Sequence, residues 1–351
     1  MSPDTHEKQM KSSHPTINDV ADKAGVSKRT VSRVINKSDK VNAETRLRVQ
    51  KVIDEMKFTP STQARGLAAR RSYLLGLIYD IPTLFTNEVQ KGVFNVSALE
   101  GYDIVVHPCE SDSPKLVDDV RRFVRRSKVD GIIMLPPVSE MKDLVKAIEA
   151  WGIPYVRFAS ELSSTPWRLV VTNYGPAVTD MTNHLVELGH RDIGFISGPG
   201  DNLSSQKRQD AFVEALRSHG LELRDEFVAE GAFTYESGVR AAQQLLTKEH
   251  RPTAVFAAND EMAFGVMNVA DAIGIRVPED LSVVGFDGTR FATFVIPSLS
   301  TIHRPSLEMA SLGASKLLAF INDGVDAASQ FESMVSPQFV PRESTGPAPG
   351  T

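Results

Sequence analysis

The sequence predicts an α/β protein with a small, all-α helix-turn-helix head followed by a larger body of two Rossmann-like lobes with parallel sheets. Residues 15–58 show only helical periodicity, whereas short Val/Ile/Leu-rich runs alternate with helical segments from Leu74 onward. Nearly continuous apolar strands between helices indicate parallel sheets covered on both faces. Eight such strands exceed an ordinary open sheet, so two lobes with a ligand cleft between them are expected.

The first predicted helix of the head has one amphipathic face and ends at a glycine. Ile17, Val20, Ala21 and Ala24 follow the i, i+3, i+4, i+7 spacing of a helix, and Gly25 interrupts it. All four apolar residues therefore face the interior of the head.

Two further helices complete the predicted head. Ser27 is a suitable N-cap for a helix over Lys28–Asn36, and Val26 and Val31 occupy the positions of a hydrophobic staple. A third helix opens after Asn42 and is expected to bury four apolar residues: Val49, Val52, Ile53 and Met56. Three short helices, the first two joined by a glycine-containing turn, match helix-turn-helix spacing.

The body is expected to contain eight strands of four to six residues. They are Leu74–Tyr79, Asp103–His107, Gly131–Leu135, Pro154–Phe158, Leu169–Thr172, Asp192–Ile196, Ala254–Ala257 and Leu281–Phe286. The predicted segments of the chain are a disordered tail, the helix-turn-helix domain, a hinge, the two-lobed domain and a second disordered tail: residues 1–14, 15–60, 61–72, 73–343 and 344–351.

Composition excludes several classes of protein. Cys109 is the only cysteine, so neither an intrachain disulfide nor a cysteine-based metal site is expected. No apolar run approaches the ~18 residues of a membrane-spanning helix, so no membrane partner is expected. The polar N-terminus lacks the apolar core of an export signal, which predicts a cytoplasmic location. No metal-ligand spacing, phosphate-binding loop or nucleophile elbow occurs, so no cofactor, metal or catalysis is predicted.

Charge is distributed unevenly along the chain. The overall net charge is −5, but residues 1–72 hold 15 Lys and Arg against 8 Asp and Glu, a net charge of +7. The remaining residues hold 24 against 36, a net charge of −12. A basic head on an acidic body indicates that the head binds phosphate groups.

The second helix of the head separates apolar from polar side chains. Its inner face is expected to hold Val31, Val34 and Ile35, whereas Lys28, Arg29, Ser32, Arg33 and Asn36 lie on or near its outward faces. Arginine suits guanine edges in the major groove, and lysine, serine and threonine bind bases or phosphates. A solvated basic face is the alternative, but spacing, cap, staple and charge together favour DNA reading.

Three stretches of the head form a long, specific signature: Thr16–Ala21, Ala24–Ser27 and Thr30–Asn36. They resemble the N-terminal signature of the LacI/GalR family of transcriptional regulators, and the resemblance continues to about Pro341. It implies a homodimer that binds a double-stranded, pseudo-palindromic DNA operator, one head per half-site. The implied DNA contacts of the head are Thr16, Ser27, Lys28, Arg29, Thr30, Ser32, Arg33 and Asn36.

The same resemblance gives a role to the segment after the head. Residues 63–68 resemble the family's hinge helix, in which Leu67 matches the side chain that wedges between base pairs in the minor groove, with Ala64 beside it. Because Gly66 disfavours an isolated helix, this segment is expected to fold only on DNA. The alternative is a flexible linker in which Leu67 merely packs.

The body resembles periplasmic sugar-binding proteins and the family's effector domain in the segments 191–199, 251–260 and 280–287. Sugars offer vicinal hydroxyls and apolar ring faces, which suit planar polar groups and an aromatic platform. The implied small-molecule effector site comprises Asp80, Asn87, Asn202, Ser204, Arg208, Phe233, Asn259 and Asp287. Each of these also has a structural alternative; Asp287, for example, could cap the next helix.

Two departures from the family pattern bear on the ligand. Ala159 stands where the family often has an aspartate, and Asn202 stands where a purine-responsive member has an arginine. The second departure favours a carbohydrate over a nucleobase. A leucine heptad, which tetrameric members carry at the C-terminus, is not found after Glu343, so a dimer is expected.

Four alternatives remain from the sequence. A solute-binding protein would share the body but would need an export signal and no basic head. A sugar-processing enzyme would turn over its ligand. Within the family, the effector could strengthen rather than release DNA binding, and it could be a nucleobase-like co-repressor.

Overall fold

Three helices form the head, as the sequence predicts. In the computed structural model, which describes residues 15–35, 38–58, 71–200 and 202–350, they are α1 (Ile17–Ala24), α2 (Lys28–Ile35) and α3 (Ala43–Glu55). Their shared core consists of Val20, Ala21, Ala24, Val31, Val34, Val49, Val52 and Phe58. The chain divides into two units, Met1–Ser72 and Tyr73–Thr351. The predicted contacts Asn36, Ala64 and Leu67 lie outside the described residues.

The turn between α1 and α2 depends on Gly25. This residue has a φ of 65°, in the left-handed region that a side chain disfavours. Its N–H donates to the Asp22 carbonyl at 3.2 Å, and the Val26 N–H donates to the Ala21 carbonyl at 3.0 Å. These bonds satisfy the last carbonyls of α1 and set the direction of α2.

Strands and helices alternate through the second unit, the body. Its strands are β1 (Leu74–Tyr79), β2 (Asp103–Pro108), β3 (Gly131–Met134), β4 (Tyr155–Ala159), β5 (Leu169–Thr172), β6 (Ile193–Ser197), β7 (Val228–Glu230), β8 (Ala254–Ala257), β9 (Ser282–Asp287), β10 (Ser300–His303), β11 (Met334–Val335) and β12 (Gln338–Val340). Its helices are α4 (Leu84–Leu99), α5 (Leu116–Ser127), α6 (Lys142–Ala150), α7 (Gly175–Glu187), α8 (Leu203–Ser218), α9 (Tyr235–Leu246), α10 (Asp260–Ala272), α11 (Ser306–Asp323) and α12 (Val325–Ala328).

Two six-stranded sheets form the two lobes that the sequence predicts. Their strand orders are β11-β5-β4-β3-β1-β2 in the first lobe and β12-β10-β9-β8-β6-β7 in the second. All pairs are parallel except β10 with β12. In both sheets the strand order reverses beside the first strand, between β1 and β3 and between β6 and β8. Ligands of such sheets bind at the carboxyl ends of the strands near that reversal.

The chain passes between the lobes three times. It crosses through α7, again where β10 leads into α11, and finally between β11 and β12. Although α11 follows a strand of the second lobe, it packs in the core of the first lobe through residues such as Met309, Ala314 and Leu317. The two lobes are therefore linked by segments that end close to the predicted cleft.

Four short strands were absent from the prediction: β7, β10, β11 and β12. Each has four residues or fewer and contains charged or polar side chains, so no continuous apolar run marks it. The eight predicted strands are all present, with ends shifted by at most one residue. Among the described residues, no helix combines the length and apolarity required to cross a membrane.

The predicted disorder of residues 344–351 is wrong for the part that the structure describes. The Gly346 carbonyl accepts a hydrogen bond from Nε2 of the buried His190 at 3.0 Å. The Ala348 N–H donates to the Leu188 carbonyl at 2.8 Å, and the Ala348 side chain is buried. A Gly/Pro-rich composition predicts disorder only where no partners exist, and here the second lobe supplies them.

This tail should contribute to the stability of the body. Deleting residues 344–351 should lower its free energy of unfolding by about 2 kcal/mol or more, because His190 and the Leu188 carbonyl lose their partners. Deleting residues 349–351 is the matched control, since Pro349 and Gly350 are exposed. Chemical denaturation compares the two proteins, and identical midpoints would show that the tail is not part of the fold.

Candidate effector site and DNA-binding surface

A cavity of about 360 Å³ lies between the two lobes of the body. It opens at the carboxyl ends of strands from both sheets, where the strand order reverses. The residues that line it are Asp80, Ile81, Thr83, Phe85, Thr86, Ser111, Asp112, Pro136, Pro137, Pro199, Asn202, Ser204, Arg208, Phe233, Asn259, Asp287 and Arg304. Aromatic rings, amides and charged groups thus converge on one enclosed space, as a small-molecule site requires.

Seven of the eight sequence-predicted effector residues line this cavity. They are Asp80, Asn202, Ser204, Arg208, Phe233, Asn259 and Asp287. Asn87 does not line it and is exposed on α4. Two prominent lining residues, Phe85 and Arg304, were not predicted. Arg304 follows β10, which shows no apolar run, and Phe85 is an ordinary apolar position of α4, so sequence periodicity marks neither as a site residue.

Arg208 lies almost completely buried on α8, with 3% of its surface exposed. Its Nη1 donates a short hydrogen bond to the Ala258 carbonyl. The guanidinium carbon lies 3.9 Å from the centre of the Phe286 ring and 5.7 Å from that of Phe233. The cation is therefore stacked against aromatic faces, a favourable arrangement for a desolvated guanidinium.

Asp287 and Arg304 form a buried ion pair across neighbouring strands. Arg304 Nη2 donates to Asp287 Oδ1 at 2.5 Å, and the Arg304 N–H donates to the Asp287 carbonyl at 3.0 Å. Asp287 has a φ of 107°, which turns the end of β9 toward the cavity. The Arg304 guanidinium carbon also lies 3.6 Å from the centre of the Phe85 ring, which belongs to the first lobe. The pair thus connects the lobes.

Two asparagines in the cavity wall begin helices. The Asn202 side chain accepts from the Ser205 N–H at 3.2 Å and from Ser204 Oγ at 2.7 Å, at the start of α8. Asn259 Oδ1 accepts from the Met262 N–H at 2.9 Å, at the start of α10. Their oxygens are thus partly committed to helix capping, a structural role that the sequence analysis had considered only for Asp287.

Phe233 is held in position by contacts on both sides. Its φ is 60°, and its carbonyl accepts a hydrogen bond from Asn259 Nδ2 at 2.8 Å. A Cβ at position 198 would lie 2.1 Å from the end of its ring, so only Gly198 leaves room for it. The aromatic platform predicted from the sequence is therefore fixed by its surroundings in a single orientation.

The wall contributed by the first lobe is polar at its edge. Asp80 follows β1 and accepts a hydrogen bond from Ser111 Oγ at 2.6 Å. The Leu84 N–H, at the start of α4, donates to Glu261 Oε1 of the second lobe at 2.9 Å. That bond joins the two lobes beside the cavity, so the described structure is one in which the lobes are in contact.

Asp260 lies behind the cavity wall and is buried. Its Oδ1 accepts from Thr301 Oγ1 at 2.6 Å, and its Oδ2 accepts from the Thr289 N–H at 2.7 Å. Burial, together with repulsion from Asp287, raises the pKa of this carboxyl to about 7. The residues that surround the cavity therefore include a group that titrates near neutral pH.

The head presents α2 as a surface with one buried and one outward face. Val31 and Val34 are buried, whereas Lys28 and Arg29 are exposed. The predicted contacts Ser32 and Arg33 are half-buried on the same helix. This burial pattern confirms the predicted inner face of the helix.

Three predicted contacts of the head have structural partners. Thr16 caps α1 and donates to Asp19 Oδ2 at 2.7 Å. Ser27 Oγ accepts from the Thr30 N–H at 3.2 Å at the start of α2. Their hydroxyls therefore lie at helix N-termini, where unpaired N–H groups favour anions such as phosphate.

Comparison with known proteins identifies relatives of both parts of the chain. Residues 16–61 match the model of bacterial regulatory proteins of the lacI family, and residues 182–345 match that of the periplasmic binding protein-like domain. Catabolite control protein A of Priestia megaterium is 33% identical over 309 residues, 88% of this chain and 92% of that protein. The transcriptional repressor PurR of Serratia proteamaculans is 34% identical, over 95% of this chain and 98% of that protein.

Solved structures resemble the chain over nearly its whole length. The lac repressor dimer bound to operator and the anti-inducer ONPF matches with a TM-score of 0.78 and 27% identity, over 95% of this chain and 99% of that chain. The complex of the transcriptional regulator CelR with cellobiose matches with a TM-score of 0.68 and 29% identity, over 94% of this chain and all of that chain.

Asp260 should make the stability of the body depend on pH. Because its pKa is raised from 3.8 to about 7, its contribution is fully present below about pH 4 and is lost as the pH rises through 7. Asp260→Asn, whose amide is neutral at every pH, should become more stable relative to the parent protein from about pH 5 to about pH 8, by at most about 4 kcal/mol.

Urea unfolding of the full chain at both pH values measures this difference. Asp271→Asn is the matched control, because Asp271 is exposed near the end of the same helix. If the Asp260→Asn and parent proteins show parallel pH dependence, Asp260 is ionised throughout and the argument from burial is wrong.

Proposed function

The chain belongs to the lacI family of bacterial regulatory proteins, and from this premise we propose that it is a homodimeric repressor whose operator affinity is controlled by a sugar-like effector. The basic head binds DNA and the body binds the ligand. Regulation of carbohydrate transport or catabolism genes, and action in the cytoplasm where the operator lies, follow from this proposal.

The observation that carries the proposal is the composition of the cleft. Arg208, Asn202, Asn259 and Asp287 place planar polar groups around a cavity of about 360 Å³, and Phe233 adds a fixed ring. Such groups bind vicinal hydroxyls and the apolar face of a sugar. The cellobiose in the complex of CelR supports a carbohydrate as the ligand class.

A nucleobase-like co-repressor is the second candidate ligand. Two aromatic side chains, Phe85 and Phe233, line the cavity and could stack on a planar base. Against it stands Asn202, whose oxygen is engaged in the cap of α8 and which carries no charge to pair with a base. The carbohydrate therefore remains the favoured ligand.

The mechanism we propose couples the cleft to the head. An effector that bridges the two lobes changes contacts such as the Leu84 N–H to Glu261 bond, and so changes lobe geometry. Residues 61–72, with Leu67 as the minor-groove wedge and Ala64 beside it, carry the change to the DNA. An effector can shift operator affinity only by its differential affinity for the two states.

The relatives found by comparison are regulators of transcription, and we propose no catalytic role. Within the described residues, no group of three or more His, Cys, Asp or Glu side chains is arranged to hold a metal ion. Assaying candidate sugars for turnover by the purified protein tests this point directly, because a binding protein returns its ligand unchanged.

Operator binding should depend steeply on salt. An operator selected from random duplexes should bind with a log–log slope of about −0.9 for each phosphate that the head neutralises. Lys28→Ala should reduce the magnitude of that slope by about 0.9, because one phosphate contact is lost. Fluorescence anisotropy over a range of salt concentrations gives both slopes.

Lys51→Ala is the matched control for this measurement. It removes the same charge from the same head, but Lys51 lies on α3, outside the predicted reading helix. Equal effects of the two substitutions would indicate a diffuse electrostatic contact instead of reading by α2, and a flat salt response of the parent would refute DNA binding by the head.

Removing the aromatic platform should separate effector binding from DNA binding. Phe233→Ala should weaken effector binding about tenfold, since stacking and buried apolar area together exceed about 1.4 kcal/mol, while operator affinity without effector stays unchanged. Phe331→Ala, which removes a partly exposed ring elsewhere in the body, is the control. Calorimetry and operator titration measure both quantities, and undiminished effector affinity in Phe233→Ala would place the ligand elsewhere.

A further inference from the structure

Arg208 is a buried cation that has no carboxylate partner among the described residues. Its Nη1 donates to a backbone carbonyl, and its Nε has no hydrogen-bond acceptor in that part of the chain. An isolated charge in a desolvated site is costly unless an opposite charge compensates it. Since Arg208 lines the cavity, a bound ligand can supply that charge.

The carboxylates that line the same cavity are otherwise engaged. Asp287 is paired with Arg304, Asp80 accepts a hydrogen bond from Ser111, and Asp112 is exposed. Burial lowers the pKa of Arg208, and repulsion from Arg304 lowers it further. Two guanidinium groups thus share the inner end of the cavity with the single carboxylate of Asp287.

We propose that the effector is a sugar acid and that Arg208 binds its carboxylate. This inference rests on the carbohydrate function proposed above and narrows it to one chemical class. A carboxylate brings one negative charge and two acceptor oxygens, which match a guanidinium. A phosphate dianion would bring a second negative charge close to Asp287, so the single unpaired cation favours the monoanion.

Paired ligands test this assignment on the full chain. Sodium galacturonate and glucuronate are compared by calorimetry with galactose and glucose, which carry a hydroxymethyl group in place of the carboxylate. At least one uronate should bind about tenfold or more tightly than its neutral partner, because hydrogen bonds to charged groups are the stronger ones. Arg208→Gln should abolish that preference while changing the affinity for the neutral sugar much less.

Two further variants separate charge from structure. Arg217→Gln, at an exposed position on the same helix, should leave the preference intact. If Arg208→Gln does not fold, Arg208→Lys keeps the charge without the planar fork and should retain only part of the preference. The comparison of uronates with neutral sugars in the parent protein holds independently of any variant.

Each outcome decides the proposal. Neutral sugars that bind as tightly as their uronates would overturn it and leave the carbohydrate function standing. Sugar phosphates that bind more tightly than uronates would overturn the assignment of a carboxylate, as would the failure of every uronate to bind at millimolar concentration. If adenine or hypoxanthine binds and no sugar of either class does, the carbohydrate function fails together with this inference.

Discussion

The buried ion pair between Asp287 and Arg304 is the interaction on which the organisation of the cleft depends. Asp287 ends β9 in a backbone conformation that turns it toward the cavity, and Arg304 lies where the chain leaves β10 for the first lobe. Arg304 also stacks on Phe85, a residue of that lobe. One pair of charges therefore ties the carboxyl ends of the second sheet to the other wall of the cavity. Removing one partner would leave the other buried and unpaired, a costly state.

Much of the fold could be predicted from the sequence because its signals are local. The apolar strands β1 and β3 and the spacing of Val20 and Val31 in the head report burial directly, through periodicity. Short strands such as β10, and the tail held by His190, depend on partners distant in the chain. Such partners leave no periodic signal in the residues that they stabilise.

The candidate site was predicted less completely than the fold. Family resemblance identified Arg208, Phe233 and Asp287, all of which line the cavity, but it also suggested Asn87, which does not. Arg304 was missed because its strand was missed, and its pairing with Asp287 changes the charge available to a ligand. Residue type predicts which chemistry is possible at a position, whereas the tertiary partners decide whether a charge is already neutralised.

The central claim is that occupation of the cleft and operator binding are coupled. Reciprocity of binding free energies tests it most directly, because an effector that changes operator affinity by some factor must have its own affinity changed by the same factor. Titrating the effector against the full chain, with and without saturating operator duplex, gives the second factor. The account predicts that the effector and the operator change one another's affinities equally, and severalfold. An effector affinity that is the same with and without operator would contradict it.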